Sequence, residues 1–281
     1  MEYQTVQLER QGRVGIVRLN RPEFLNAFNT RMNYEWGHAF DTLNDDPTIG
    51  AIVLTGNGRG FCAGGDLGGF ERAFTGEKDP DADIVLPHSA WDTKWLASCK
   101  PLIAAVNGIA IGGGLTSILW FDRIIASTEA RFAARFSALG LTPELNSQWL
   151  LPRIIGIHNA REMFLTGRIY SAQEAKELGL VRHVVEPDQL MPTAIAMAEE
   201  ICRNSPESLR AIKQGMYEDL LKDGGLDAEA RSIAVFNEAR KTVDHREALL
   251  ALRERREPQF YDPEHMAKVA EIVRDEANRG S

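Results

Sequence analysis

The chain has 281 residues, 44% of them hydrophobic, with 32 basic against 40 acidic side chains and a formal net charge of −8. That much apolar material supports a sizeable core, and an acidic balance with no basic block argues against nucleic acid as a partner. No run reaches the ~18 apolar residues of a membrane span, and the first residues lack a basic-then-apolar signal, so the expectation is a cytoplasmic protein with no membrane partner.

Residues 6–8 and 14–19 alternate in polarity around Gln11-Gly12, which predicts a hairpin ended by Arg21-Pro22. Met32, Trp36, Ala39, Phe40 and Leu43 fall at helical spacing over residues 29–44, with Asn29 or Thr30 as N-cap. The apolar run 51–54 reads as a buried strand. Behind it comes a stretch with glycines at 56, 58, 60, 64 and 65, running through Cys62 and Ala63 to Asp66 and Leu67. A turn that dense lets the backbone take φ > 0 and lets a ligand approach main-chain N–H groups. A short helix is expected near 66–74, with Asp66 as its cap. Residues 75–88 are polar and broken by prolines, and they read as a mobile loop or insertion. A helix carrying Trp91 and Trp95 then reaches residue 99.

A second apolar strand at 102–106 is followed by a second glycine turn, Asn107-Gly108 to Gly112-Gly113-Gly114, which feeds a helix over about 113–120. Residues 123–126 and 131–134 are further strands. The pattern is helical from Ser147, and Ser171-Ala172-Gln173-Glu174 is a capping box before a helix ending at Gly179. Residues 183–185 form a last short strand. Everything after Pro187 reads as helix, with breaks at Ser205-Pro206 and Asp223-Gly224-Gly225. No flexible linker divides the chain, so residues 1–200 are expected as an α/β core and 201–281 as a helical C-terminal region.

Two strand–glycine turn–helix units can offer two backbone N–H groups to a single oxygen, which is how an oxyanion hole is built. The positive ends of the following helices reinforce it. Neither turn fits a phosphate-binding loop: the first lacks Lys-Ser/Thr, and the second is too apolar. Three scattered cysteines, 62, 99 and 202, argue against a disulfide framework and a zinc site. Cys62 sits beside the proposed hole without a His in its motif, which disfavours a nucleophilic role.

Leu19-Asn20-Arg21-Pro22 with Leu25-Asn26-Ala27, the stretch 60–67, and Lys100-Pro101 with 104–108 and 112–114 resemble the crotonase family, the enoyl-CoA hydratases and isomerases. The resemblance continues through 151–156 and 165–181 and spans residues 5 to 260. It implies a superhelix of strand–strand–helix units whose C-terminal helices build a trimer, or a dimer of trimers, through residues such as Ile233, Phe236 and Phe260. It also implies an acyl-CoA substrate, with coenzyme A as part of that substrate and no metal or redox cofactor. Motif by motif, the N–H groups of Ala63 and Gly113 match the family's oxyanion donors, and Gly64, Gly65, Asp66 and Leu67 complete the first turn. Arg21, Leu25 and Ala27 resemble the cradle for the adenine and phosphates of CoA. Lys100, Arg255 and Arg256 read either as phosphate contacts or as surface charge, and His88 either as a wall of the acyl pocket or as an exposed helix start. Trp120, Phe121, Phe132 and Phe136 read as core or pocket wall.

The family's hydratases add water with two glutamates, and those positions fall on Thr116 and Phe136 here. A threonine hydroxyl is no base near neutral pH, and a phenyl ring is none at all. One carboxylate remains close by. The stretch 136–144 resembles that of Δ3,Δ2-enoyl-CoA isomerases, whose single catalytic acid matches Glu144, although Leu145-Asn146-Ser147 replaces the glycine-rich segment that often follows. A 1,3-proton shift needs one base that takes a proton from C2 and returns it at C4. Leu141, Leu145, Trp149 and Leu150 around Glu144 favour burial and a raised pKa; the alternative is an ordinary solvated loop acid. The sequence therefore points to an isomerase. Its rivals are single-acid hydration, dehalogenation or hydrolysis on the same scaffold, and a non-catalytic crotonase-fold binding protein.

Overall fold

Two sheets run side by side through the computed structural model, which describes residues 2–86, 92–221, 233–234, 236–260 and 262–279. The strands are β1 (Val6–Gln11), β2 (Val14–Leu19), β3 (Ala51–Gly56), β4 (Gly60–Cys62), β5 (Leu102–Val106), β6 (Ile109–Ile111), β7 (Arg123–Ser127), β8 (Arg131–Ala133), β9 (Tyr170–Ser171) and β10 (His183–Val185). The larger sheet has the order β1-β2-β3-β5-β7-β10, and the smaller one β4-β6-β8-β9. Only the outermost pairs β1–β2 and β8–β9 are antiparallel. From β3 on the chain alternates, β3, β5 and β7 of the large sheet each being followed by a short strand, β4, β6 and β8, of the small sheet. The expected strand–strand–helix spiral is present.

Parallel strands are covered on both faces, which is why β3 and β5 are fully buried and, apart from Thr55, carry no polar side chain; the Thr55 hydroxyl donates to the Ala105 carbonyl at 2.8 Å. On one face α1 (Thr30–Asp45) lays Met32, Trp36, Phe40 and Leu43 against Leu19, Leu54 and Phe61. On the other, Val53, Ile103, Ala105 and Ile125 meet Leu190, Ala194 and Ala198 from a later helix. Asn29 caps α1 by accepting from the Met32 N–H at 2.9 Å. At the far end the Lys100 ammonium donates to the carbonyls of Leu43 and Asp46, at 2.9 and 2.5 Å. Lys100 is therefore a helix cap, neither a phosphate ligand nor a free surface charge.

Further helices are α2 (Leu67–Thr75), α3 (Thr93–Ser98), α4 (Gly113–Thr116), α5 (Ser147–Ile155), α6 (Ile157–Thr166), α7 (Ala172–Glu177), α8 (Leu190–Ile201), α9 (Pro206–Leu221), α10 (Val243–Glu254) and α11 (Pro263–Arg279). The helix expected over 113–120 is a single turn, after which the chain bends. The segment 76–86 is pinned instead of loose: Asp79 accepts from the Thr30 hydroxyl at 2.8 Å, and Arg31 pairs with Asp81. His88 and Trp91 lie outside the described residues. So does the break at 223–225.

The C-terminal helices are fastened by buried charge. Lys213 of α9 reaches Asp122 at 2.8 Å, and the Tyr217 hydroxyl donates to the Trp120 carbonyl at 2.8 Å. Arg246 of α10 bridges Glu71 of α2 and Glu276 of α11 at 2.7 and 2.5 Å. Arg256 grips the wholly buried Glu247 with two nitrogens, at 2.6 and 2.9 Å, which leaves it committed inside the chain. Arg255 is the left-handed residue that ends α10. Phe236 packs on this chain's own core, while Ile233 is exposed. No helix among the described residues is long and apolar enough to cross a membrane.

Replacing Lys213 by Met would strand the Asp122 carboxylate without its cation. Because Asp122 keeps 28% of its side chain exposed, the cost should lie at or below the low end of the roughly 3–5 kcal/mol seen for sealed pairs. Chemical denaturation should show that loss; an unchanged unfolding midpoint would mean that α9 docks through apolar contacts alone.

Candidate active site

The two glycine turns meet backbone to backbone. A Cβ on Gly114 would stand 2.2 Å from the Cys62 carbonyl oxygen, and one on Gly64 would stand 2.7 Å from that of Ile111 and 3.3 Å from the Gly113 nitrogen. Gly64 also has φ +91. No side chain fits between the turns, so glycine is dictated there by contact and by conformation.

The first turn is held by amide side chains from outside it. Asn26 donates to Gly60 and Asn57 at 2.8 and 3.0 Å and accepts from the Arg21 N–H at 2.8 Å. Asn107 accepts from Gly56 at 3.1 Å and donates to Gly58 at 2.9 Å. These bonds hold Leu25 and Asn26 in the left-handed region, at φ 51 and 58, which non-glycine residues seldom occupy. Arg21 lies over the Phe24 ring and donates to Ala27 and to Asp66, at 2.6 and 2.9 Å. Its guanidinium ties the Leu25–Ala27 segment to the first turn. Ala27 is buried, Leu25 is half-buried and Leu67 is exposed. Asp66 caps α2 through the Gly69 N–H at 3.3 Å.

One donor assignment changes. The Ala63 N–H is spent on the Leu25 carbonyl at 3.0 Å, so it has no proton left for a ligand. Two residues on, Phe28 and Gly65 form a parallel bridge, with Phe28 bonding the Gly64 carbonyl at 2.7 Å and the Asp66 N–H at 2.9 Å. That pattern turns Gly65's own N–H away from Phe28. Among the described residues neither the Gly65 nor the Gly113 N–H has a protein acceptor. Gly113 is the first residue of α4, where an unpaired donor is the rule.

Glu144 faces the second turn: a Cβ on Gly113 would sit 3.8 Å from its Oε1. The sharp bend that aims it comes from Leu145 and Asn146, both left-handed at φ 54 and 61. Trp120 Nε1 donates to the Leu145 carbonyl at 3.1 Å, and the Ser147 hydroxyl donates to that of Glu144 at 2.6 Å. Non-glycine residues here do what a glycine-rich segment does elsewhere. The Thr116 hydroxyl donates to Glu144 Oε1 at 2.5 Å. The recess leaves the side chain partly accessible yet strips its carboxyl of most water. Desolvation pushes the pKa up to about 7, against a smaller opposing pull from Thr116 and the residue's own backbone N–H.

Phe136 stands where a second acid would be needed; it is buried, its ring 3.9 Å from a Cβ placed on Gly112. Trp120, Phe121 and Phe132 are buried as well. Burial pushes the Cys62 thiol up to about 12, so it stays protonated and is no nucleophile.

Comparisons with known proteins show the family of the chain as a whole. Residues 9–263 match the family described as enoyl-CoA hydratase/isomerase. The chain belongs to the enoyl-CoA hydratase/isomerase family. A probable enoyl-CoA hydratase of Mycobacterium tuberculosis is 38% identical over 268 residues, covering 92% of this chain and 99% of the relative. A 1,2-epoxyphenylacetyl-CoA isomerase of Escherichia coli is 37% identical over 246 residues, covering 86% and 92%. The crystal structure of an enoyl-CoA hydratase/isomerase from Pseudoalteromonas atlantica superposes with a TM-score of 0.82 at 33% identity, covering 92% of this chain and all of that one. As an enzyme of the enoyl-CoA hydratase/isomerase family the chain carries both glycine turns, with the Asp66 carboxylate paired to Arg21 in the first and Glu144 facing the second.

Two outcomes follow from the site's geometry. Gly114→Ala must push the turns apart and should cost about 1–3 kcal/mol or more, whereas Gly113→Ala, whose methyl meets nothing closer than 3.7 Å, should melt like the parent. Equal melting of the two variants would contradict the packing. Glu144, with its folded pKa above the unfolded value, favours the folded state most below about pH 4.5 and loses that contribution as pH rises through about 7. Glu144→Gln should therefore gain stability relative to the parent between pH 5 and pH 8, by an amount on the order of 2 kcal/mol. A pH-independent difference in melting would show that the carboxyl is not desolvated.

Proposed function

We propose that this enzyme moves a carbon–carbon double bond in an enoyl-CoA thioester, with Glu144 as its single base. The observation that carries the reading is one carboxyl, poised to titrate near neutrality, facing the free N–H of Gly113 while Thr116 and Phe136 occupy the positions of a two-acid hydration. The thioester oxygen would accept from the N–H groups of Gly65 and Gly113. Those bonds strengthen as charge moves onto the oxygen, so they favour the enolate over the ground state. Glu144 takes the C2 proton, the electron pair passes through C2 and the carbonyl to the oxygen, and the proton is returned at C4. No electrons are gained or lost overall, so the reaction calls for no redox group, and coenzyme A enters only as part of the substrate. A base near pKa 7 suits the task, because it is half ionised at working pH and still strong enough to accept the proton.

A second reading is hydration with one acid, favoured by the names of the relatives, most of which are enoyl-CoA hydratases. Incubating 2-enoyl- and 3-enoyl-CoA esters with the enzyme in deuterated water separates the two by product mass and double-bond position. Double-bond shift should dominate; predominant 3-hydroxyacyl-CoA would reverse the order. Glu144→Gln should lower turnover by on the order of 10²–10⁴ with little change in ester binding. Gly113→Pro deletes one donor at a helix position that tolerates proline and should lower turnover by about 10²–10³. Full activity in either folded variant would sink its role.

For assembly we propose a trimer or a dimer of trimers, in which exposed apolar residues such as Ile212, Met216 and Ile233 are covered by neighbouring subunits. Light scattering at micromolar concentration should report three or six chains; a monomer would exclude it.

A further inference from the structure

We propose that Thr116 is a positioning residue that binds one oxygen of Glu144 so that the other is left to the substrate. This rests on the reading of Glu144 as the base. The Thr116 hydroxyl has a single proton and two candidate acceptors, Glu144 Oε1 at 2.5 Å and the Gly112 carbonyl at 3.2 Å. The Gly112 carbonyl already accepts from the N–H groups of Leu115 and Thr116, each at 3.0 Å. The shorter bond, to a charge-bearing and otherwise poorly solvated oxygen, takes the proton.

The backbone makes this bond repeatable. Thr116 is fully buried in α4, three residues past Gly113, so it moves only with the helix turn that carries the oxyanion donor. Glu144 is fixed from its other side by the bonds from Trp120 and Ser147 to the Leu145 and Glu144 carbonyls. With Oε1 tied to α4, the carboxyl plane keeps a set orientation to the Gly113 N–H, and Oε2 is the oxygen free to meet C2 and C4. The residue that stands in place of a hydratase acid thus serves the remaining acid.

The same bond opposes the recess. Without a donor at Oε1 the carboxylate would have only its own backbone N–H to set against desolvation, and its proton would be held to higher pH. Charged groups around the site do not take over this task. Arg21 and Asp66 of the first turn are paired with each other, the Cys62 thiol stays protonated, and His245, which packs on the loop leading to Glu144, is held toward its neutral form by burial. None of them contributes to the Glu144 shift, which arises from burial, Thr116 and the residue's own backbone N–H.

The test compares Thr116→Val, which removes the hydroxyl at constant shape, with Thr116→Ser, which keeps it. In the parent enzyme the pH profile of kcat/KM for an enoyl-CoA ester should rise with a midpoint near 7. Thr116→Val should move that midpoint up by about one to two units, with KM on the high-pH plateau little changed, and Thr116→Ser should restore it. Infrared difference spectra over the same pH range give a readout that does not need turnover: the protonated carboxyl band absent from Glu144→Gln should titrate at higher pH in Thr116→Val. Coincident midpoints for Thr116→Val and the parent overturn the proposal, as does a Thr116→Ser variant that tracks Val. If Glu144→Gln stays active while the infrared shift is seen, the base assignment fails and the Thr116–Glu144 coupling stands. If Glu144→Gln is dead and no shift is seen, this inference alone fails.

Discussion

Everything in the site depends on two main-chain turns touching without side chains between them. The Cys62 carbonyl lies against Gly114 and the Ile111 carbonyl against Gly64, closer than any Cβ allows. A donor pair needs its two N–H groups aimed at one point, and a contact between backbones fixes that aim more firmly than a contact between rotating side chains. The parallel sheets explain how the turns come together: β3 and β5 are neighbours in the large sheet, β4 and β6 in the small one, so equivalent turns are stacked by the same register. The amides of Asn26 and Asn107 then lock the first turn from two directions.

Around that frame the charges are arranged to leave the centre nearly neutral. Arg21 and Asp66 satisfy one another at 2.9 Å, Cys62 is held as the thiol, and Phe136 fills the place of an acid with a ring. Glu144 is the exception, and its environment resists ionisation. A carboxylate in such a recess is a stronger base than one in water, because transferring a proton to it removes an unfavourable charge. Stability is given up for this, since an apolar side chain in the same recess would be easier to bury.

Much of this was legible in the sequence where the signal is local. The Asn29 cap, the Ser171–Glu174 capping box, the Asp66 cap and the alternation of strand with glycine turn each rest on neighbours within a few residues. Glu144 could be singled out because two other candidate positions held Thr and Phe. What stayed hidden depends on distant partners. Nothing near Ala63 reveals that its N–H is taken by Leu25, or that the bridge to Phe28 frees Gly65 instead. The short strands β4 and β6 are masked by glycines that read as turn. Lys100 looked like a surface charge because its acceptors, the last carbonyls of α1, lie 54 and 57 residues away. The role of Thr116 shows only once the Leu145–Asn146 bend brings Glu144 back over α4.

The latch at Arg246 sets an order of events during synthesis. Its two partners are Glu71, on the helix capped by the first glycine turn, and Glu276, near the end of the chain. His245, beside it, donates its Nδ1–H to the Leu139 carbonyl at 2.6 Å, and so rests on the loop that leads to Glu144. A nascent chain can build both sheets and stack both turns before α11 has been made, because the last strand, β10, lies well upstream of it. The clasp over α2 closes only once α11 has followed. Domains form as they emerge, so the helices that brace α2 and the Glu144 loop are added to a scaffold already built, and a product cut short before α10 would keep that scaffold with the loop unsupported.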